Sequence, residues 1–241
     1  MLRIISATIF TLLLTLAQAN AKIIEVKSPN GTLCAKMEDD ENLKYSLFLD
    51  GTPLLENCAI SMHTDKGDWG VNSKIKSSKQ TLIDKTESSP FFIKSKIRDF
   101  CTEAVLDFGQ FSLIVRLYDN AFAFRFVGKM GKSQMLVKSE TFELKFQSDA
   151  IAWIHGCGGV QTSFEEEIMT WKVKDLERKF AAGLPFVVSQ NGVKIAVLES
   201  DVFSYPSLRV KFDKEKKHPV GWNAKYPKTF KIASFGRTVV A

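Results

Sequence analysis

Leu113-Ile114-Val115-Arg116-Leu117-Tyr118-Asp119-Asn120-Ala121-Phe122-Ala123-Phe124-Arg125-Phe126-Val127 holds two alternating runs around a polar pair. Leu113, Val115 and Leu117 alternate with Ile114, Arg116 and Tyr118, and Phe122, Phe124 and Phe126 alternate with Ala123, Arg125 and Val127. Successive side chains of a strand point to opposite faces, so each run reads as a half-buried strand, with Asp119-Asn120 as the turn. The same pattern recurs outward from this hairpin. Leu43, Tyr45, Leu47 and Leu49 alternate with Lys44, Ser46, Phe48 and Asp50, and Asp50-Gly51 turns the chain into Pro53-Leu54-Leu55. Asn191-Gly192, between Phe186-Val187-Val188 and Val193-Lys194-Ile195-Ala196-Val197, is the strongest short-range hairpin signal. Phe142, Leu144 and Phe146, and likewise Leu208, Val210 and Phe212, predict two more strands. The one stretch with an approximate helical face is Glu165 to Phe180, through Ile168, Trp171, Leu176 and Phe180. Strand after strand predicts an all-β chain of two large sheets packed face to face, because a single sheet would leave one apolar side in water.

Composition sets the limits. The chain has 241 residues, of which 45% are hydrophobic and 11% aromatic, with 19 Phe; that supplies enough apolar surface to offset ordering entropy and excludes disorder. The formal net charge is +6, but the lysines are scattered and only Lys214, Lys216 and Lys217 cluster. With no interleaved aromatics or arginine enrichment, this excludes a nucleic-acid binder. Residues 1–21 read as an export signal: Arg3 is a positive start, Ile4 to Ala17 is an apolar run too short to span a bilayer, and Ala19-Asn20-Ala21 has the small residues of a cleavage site. Cleavage is expected before Lys22, leaving one domain over residues 22–241, periplasmic or secreted and free of the membrane. Cys34, Cys58, Cys101 and Cys157 permit two bridges without requiring them, and their spacing excludes a CxxC motif.

No G-x-S-x-G, HExxH or calcium-hand loop is present. His63, His155 and His218 fall in loop-like contexts, and His155 at a strand end reads as structural. Gly156-Cys157-Gly158-Gly159 has neither the Lys-Ser/Thr nor the following helix of a phosphate cradle, so it reads as a tight loop. Ser163-Phe164-Glu165-Glu166-Glu167 sets three carboxylates in a row, which repel unless they are solvated or share a cation; an exposed acidic turn and a Ca²⁺ contact both fit.

Several segments, in order, resemble the N-terminal domain of glycoside hydrolase family 97, exported α-glucosidases and α-galactosidases. They are Ser28-Pro29-Asn30-Gly31-Thr32-Leu33, the hairpin Leu43-Lys44-Tyr45-Ser46 with Asp50-Gly51-Thr52-Pro53-Leu54-Leu55-Glu56, and Arg116 to Phe126. Ser139-Glu140-Thr141-Phe142-Glu143-Leu144, Ala152-Trp153, Ser163-Phe164-Glu165, Leu184-Pro185-Phe186 and Glu199 to Pro206 follow. Ala121 stands where the family carries Gly, which leaves any positive φ in that turn to Asn120.

The resemblance implies a β super-sandwich of the galactose-mutarotase type. It also implies a carbohydrate-associated role beside a catalytic (β/α)₈ barrel, which takes about 250 residues more than this chain provides. The family's catalytic carboxylates belong to that barrel, so none is carried over and the chain reads as non-catalytic alone, a truncated, split or lone domain. One role does transfer by resemblance: Glu165 is the expected calcium ligand, completed by glutamates of the barrel. Trp69, Trp153, Trp171 and Trp222 are the candidates for stacking on sugars, with Trp153 read as a core residue. An aldose mutarotase-like enzyme and a free-standing glycan-binding module are the rival functions.

Overall fold

The structure is a computed structural model and describes residues 21–90, 93–129, 134–155, 166–176, 181–200, 208, 210–212, 222–224 and 238–240. The expected signal segment, apart from Ala21, and Gly156 to Glu165 lie outside these residues.

The first half is a succession of antiparallel strands: β1 (Ile23–Lys27), β2 (Leu33–Asp39), β3 (Leu43–Leu49), β4 (Thr52–Thr64) and β5 (Gly67–Trp69), then β6 (Ser77–Ser88), β7 (Lys96–Asp107), β8 (Phe111–Tyr118) and β9 (Ala121–Gly128), closed by β10 (Gln134–Phe142). The second half comprises β11 (Ile151–His155), β12 (Ile168–Lys172), a 3₁₀ turn at Val173–Asp175, β13 (Ala181–Ala182), β14 (Phe186–Gln190), β15 (Val193–Val197), β16 (Val210–Phe212), β17 (Trp222–Ala224) and β18 (Thr238–Val240). The strands form a seven-stranded sheet in the order β1-β2-β3-β4-β10-β18 with β5 on β4, and four-stranded sheets β6-β7-β8-β9 and β12-β11-β14-β15. A three-stranded sheet β13-β16-β17 completes them. The chain is an all-β sandwich, as expected, though its described strands divide into four sheets rather than two.

The predicted alternation decides which faces meet. Leu43 and Tyr45 on β3, Leu113, Val115 and Leu117 on β8 and Ala104 and Leu106 on β7 are fully or almost fully buried. Phe122, Phe124 and Phe126 pack against them. Tyr45 stacks on Phe122 at 5.3 Å between ring centroids and Trp69 on Phe111 at 5.1 Å, joining the large sheet to β6–β9. Each fully buried side chain of this size stabilises by about 1.5–3 kcal/mol, against about 0–1 kcal/mol for an exposed ion pair, so the aromatic seam holds the sandwich.

Turn chemistry follows the sequence at two hairpins. Asp50 and Gly51 have φ of 48° and 78°, and Asn191 and Gly192 have 52° and 76°, the paired positive values of a turn whose twist matches its strands. The turn at Asp119-Asn120 differs from expectation: neither residue has a positive φ, which removes any need for Gly at Ala121. Asp119 instead accepts the Asn30 amide at 2.9 Å, and Asn30 Oδ1 accepts from the Thr32 amide and hydroxyl and from Ser28 Oγ. The Ser28-to-Leu33 motif is therefore a turn organised around one asparagine.

Three expectations are corrected. Residues 168–172 form β12, antiparallel to β11, rather than a helix, and Val173–Asp175 is a single 3₁₀ turn. Ile168 and Trp171 would share a helical face; in the strand Ile168 points to solvent and Trp171 packs on the core, because pairing β12 satisfies one edge of β11. The strand predicted over Phe142, Leu144 and Phe146 stops at Phe142, although Leu144 and Phe146 are buried as predicted. There the Glu143 carboxylate accepts the Ala59 amide at 3.0 Å, and irregular backbone replaces the ladder. Leu208 is half-buried ahead of β16 instead of within it, its amide donating to Glu199 Oε2 at 2.8 Å. Cys34, Cys58 and Cys101 are all free thiols, so the two bridges that the count permits do not form.

Candidate functional site

The long hairpin β6–β7 carries the densest charge network among the described residues. Arg98 donates to both oxygens of Asp84 at 2.7 Å and its guanidinium lies 4.2 Å from the Phe100 ring centroid. Arg116 donates through Nε to Glu103 at 2.7 Å and through an η nitrogen to Asp99 at 3.3 Å. Tyr118 donates its hydroxyl to Asp99 at 2.8 Å. Burial, and then that bond to Asp99, push the Tyr118 phenol up to about 12. Burial also raises the Cys101 thiol. Beside this network lies a recess of about 360 Å³ lined by Glu87, Ser88, Ser89, Ile97, Arg98, Asp99 and Tyr118. Glu87, Arg98, Asp99 and Tyr118 are each engaged by a protein partner. The recess is built as a brace for a hairpin of two twelve-residue strands, not as a set of groups waiting for substrate.

A second constellation resembles the acid–histidine–hydroxyl alignment of nucleophilic catalysis. His63 on β4 faces Asp68 on β5, with Nδ1 3.0 Å from Asp68 Oδ1, and Ser61 Oγ lies 3.5 Å from Nε2. The alignment arises from register, since Ser61 and His63 are two apart on one strand and Asp68 is cross-strand from His63. It lacks the features a hydrolase needs. Ser61 is buried, and the serine–histidine distance is at the limit of a hydrogen bond.

Glycoside hydrolysis requires a carboxylic acid whose pKa is raised beside a second carboxylate. Three surface carboxyls among the described residues go the other way. Asp40 is lowered by its bond from Lys44, Asp84 by Arg98 and Asp107 by Lys129.

Of the residues predicted to carry function, Glu165 lies outside the described residues, with the glycine loop and Cys157. Its neighbours Glu166 and Glu167 are exposed at the start of the segment leading into β12. Among the described residues no group of three or more His, Cys, Asp or Glu is arranged to hold a metal ion. His155 ends β11, half-buried. Trp69 is buried in the core and offers no face to a sugar. Trp153 is half-buried rather than a core residue, on the face of β11 opposite the buried Ala152 and Ile154. Trp171 is half-buried against the core, and the Trp222 side chain lies outside the described residues.

Sequence reasoning missed the buried acids. Asp39 continues the inward series Leu33, Ala35, Met37 of β2, and Glu143 sits between the half-buried Phe142 and the buried Leu144. An acid at an inward period-two position was the available signal for Asp39.

The profile of the glycosyl-hydrolase 97 N-terminal family matches residues 26–236. A retaining alpha-galactosidase of Bacteroides thetaiotaomicron is 30% identical over 228 residues, covering 90% of this chain and 34% of that protein. A glycoside hydrolase family 97 enzyme from Pseudoalteromonas sp. strain K8, solved with panose, superimposes with a TM-score of 0.73 at 18% identity, over 84% of this chain and 31% of that one. A beta-arabinopyranosidase superimposes with a TM-score of 0.72 at 22% identity, over 85% and 35%. The chain thus spans about a third of the length of these relatives. With the motifs, the sandwich and the profile in agreement, this chain belongs to the glycosyl-hydrolase 97 N-terminal family.

Proposed function

We propose that residues 22–241 act as the non-catalytic, carbohydrate-associated part of an exported α-glycosidase, packing against a catalytic barrel and shaping its sugar cleft. The observation that carries this is the match of nearly the whole chain to an N-terminal family and to only about a third of an alpha-galactosidase. The protein-satisfied charges around the β6–β7 recess support a scaffolding role. On this reading the purified chain does not turn over aryl α-glycosides and does not speed the mutarotation of α-glucose. Either activity, surviving controls for host contamination, overturns it. Micromolar binding on a glycan array would instead favour a free-standing glycan-binding module.

Glu165 is the calcium ligand on this reading, with the remaining oxygens supplied by the barrel, since the ion takes about six to eight. Calcium would supply positive charge at the sugar cleft. Calorimetric titration of the chain with Ca²⁺ should show weak or no binding. High affinity, unchanged in Glu165→Ala, overturns the assignment.

A further inference from the structure

Asp39 is an acid in the core. Its side chain is only 3% exposed, at the last position of β2, and its two oxygens have different partners. Oδ2 accepts the Ile75 amide at 2.7 Å. Oδ1 accepts the Lys22 amide at 2.7 Å, with Lys74 Nζ farther away at 3.6 Å. The Asp39 amide in turn donates to the Lys22 carbonyl at 3.1 Å, so residue 22 is clamped to residue 39 by both of its backbone groups. The side chain of Lys22 itself is exposed, and β1 begins at the next residue.

A separate observation falls on the same atom. Ala19-Asn20-Ala21 marks the bond before Lys22 as the cleavage point. Cutting it turns the Lys22 N–H, a neutral single donor, into an ammonium with three donors and a full charge. A buried carboxylate held mainly by backbone amides gains most from such a partner, because a charge-assisted bond is about twice as strong as a neutral one and offsets the cost of burying the acid.

We propose that Asp39 is the seat of the processed amino terminus: the ammonium created at Lys22 pairs with the Asp39 carboxylate, so that removal of the leader stabilises the fold. The inference rests on the export reading above. It gives processing a thermodynamic consequence, since the precursor has only a neutral amide bond to Asp39 where the mature chain has a charged one.

The test compares the chain beginning at Lys22, released from a fusion by a protease that leaves no residue behind, with the chain beginning at Ala21. The extra residue moves the charge outward by about 3.8 Å. The Lys22 form should melt about 2–4 °C higher, and the gap should close in Asp39→Asn. Equal melting points, or a gap that persists in Asp39→Asn, overturn the proposal. If Asp39→Asn fails to fold, acylation of the α-amine decides: it should be at least about tenfold slower in the folded Lys22 form than in a peptide of residues 22–27, and equal rates overturn the proposal. Mass spectrometry of protein exported by a bacterial host separates the two readings. An uncut chain overturns cleavage before Lys22 and the proposal together, whereas a Lys22 terminus without coupling to Asp39 overturns the proposal alone.

Discussion

Strands β6 and β7 pair over twelve residues with their neighbours in sequence, whereas β13 has two residues and finds its partner in β16. That contrast runs through the molecule. From Ile23 to Gly128 almost every strand pairs with the next one along the chain, and β8 is joined to β9 across a two-residue turn. From Ile151 onward β11–β12, β14–β15 and β16–β17 still pair in sequence, but β11 also pairs with β14, β13 with β16, and β18 reaches back to β10. The first region is specified by local alternation and turns. The second depends on long-range closure, which costs loop entropy before any contact is gained. Both nevertheless feed one core: Val26, Leu117, Ile154 and Val188 belong to the same buried cluster.

The sharpest test of that shared core is truncation on both sides. Leu117→Ala and Ile154→Ala should each cost about 2–5 kcal/mol in urea unfolding, through the same single transition. Two separate transitions would show that the halves are independent. A close approach in the first region comes next. Gly70 has φ +83° and a Cβ there would sit 2.6 Å from the Ile60 carbonyl oxygen, so Gly70→Ala should destabilise by about 2–5 kcal/mol through combined strain and overpacking. Gly192 in the second region has φ +76° but open space around it, so Gly192→Ala should lose only about 1–2 kcal/mol. Denaturant midpoints that reversed this order would mean that the local turn, not the packing, governs the second region.

A smaller effect tests the join between the regions. Tyr45 on β3 donates its hydroxyl to the Glu143 carbonyl at 2.7 Å, and Tyr45→Phe should cost about 0.5–1.5 kcal/mol while leaving the ring stack in place. The finest measurement is alkaline. The folded pKa of Tyr118 is raised from 10.0 to about 12, so its contribution is fully present below pH 10 and is lost as pH rises through 12. Absorbance titration of the tyrosines should show a late component near pH 12 that Tyr118→Phe removes; its persistence in that variant would reassign it.

Much of the first region, and one hairpin of the second, was legible. Leu43, Tyr45, Leu113, Val115 and Leu117 are inward where alternation placed them, and Asp50-Gly51 and Asn191-Gly192 turn as their chemistry demands. Residues 168–172 were misread because Ile168 and Trp171 satisfy a helical spacing locally, while the edge of β11 that makes them a strand comes from elsewhere in the chain. The brace of Arg116, Glu103, Asp99 and Tyr118 was equally hidden, since Arg116 meets Glu103 only through the register of β7 on β8.

Side-chain alternation and turn residues are properties of neighbouring positions, so the sequence by itself determined that this is an all-β chain, where its main hairpins turn and which family it resembles. Which strands close the short sheets, why Asp39 is held in the core at the start of the fold, and how His63 comes to face Asp68 were decided only in three dimensions. Each depends on the register between strands, and register is set by the burial of a whole face rather than by any residue's neighbours.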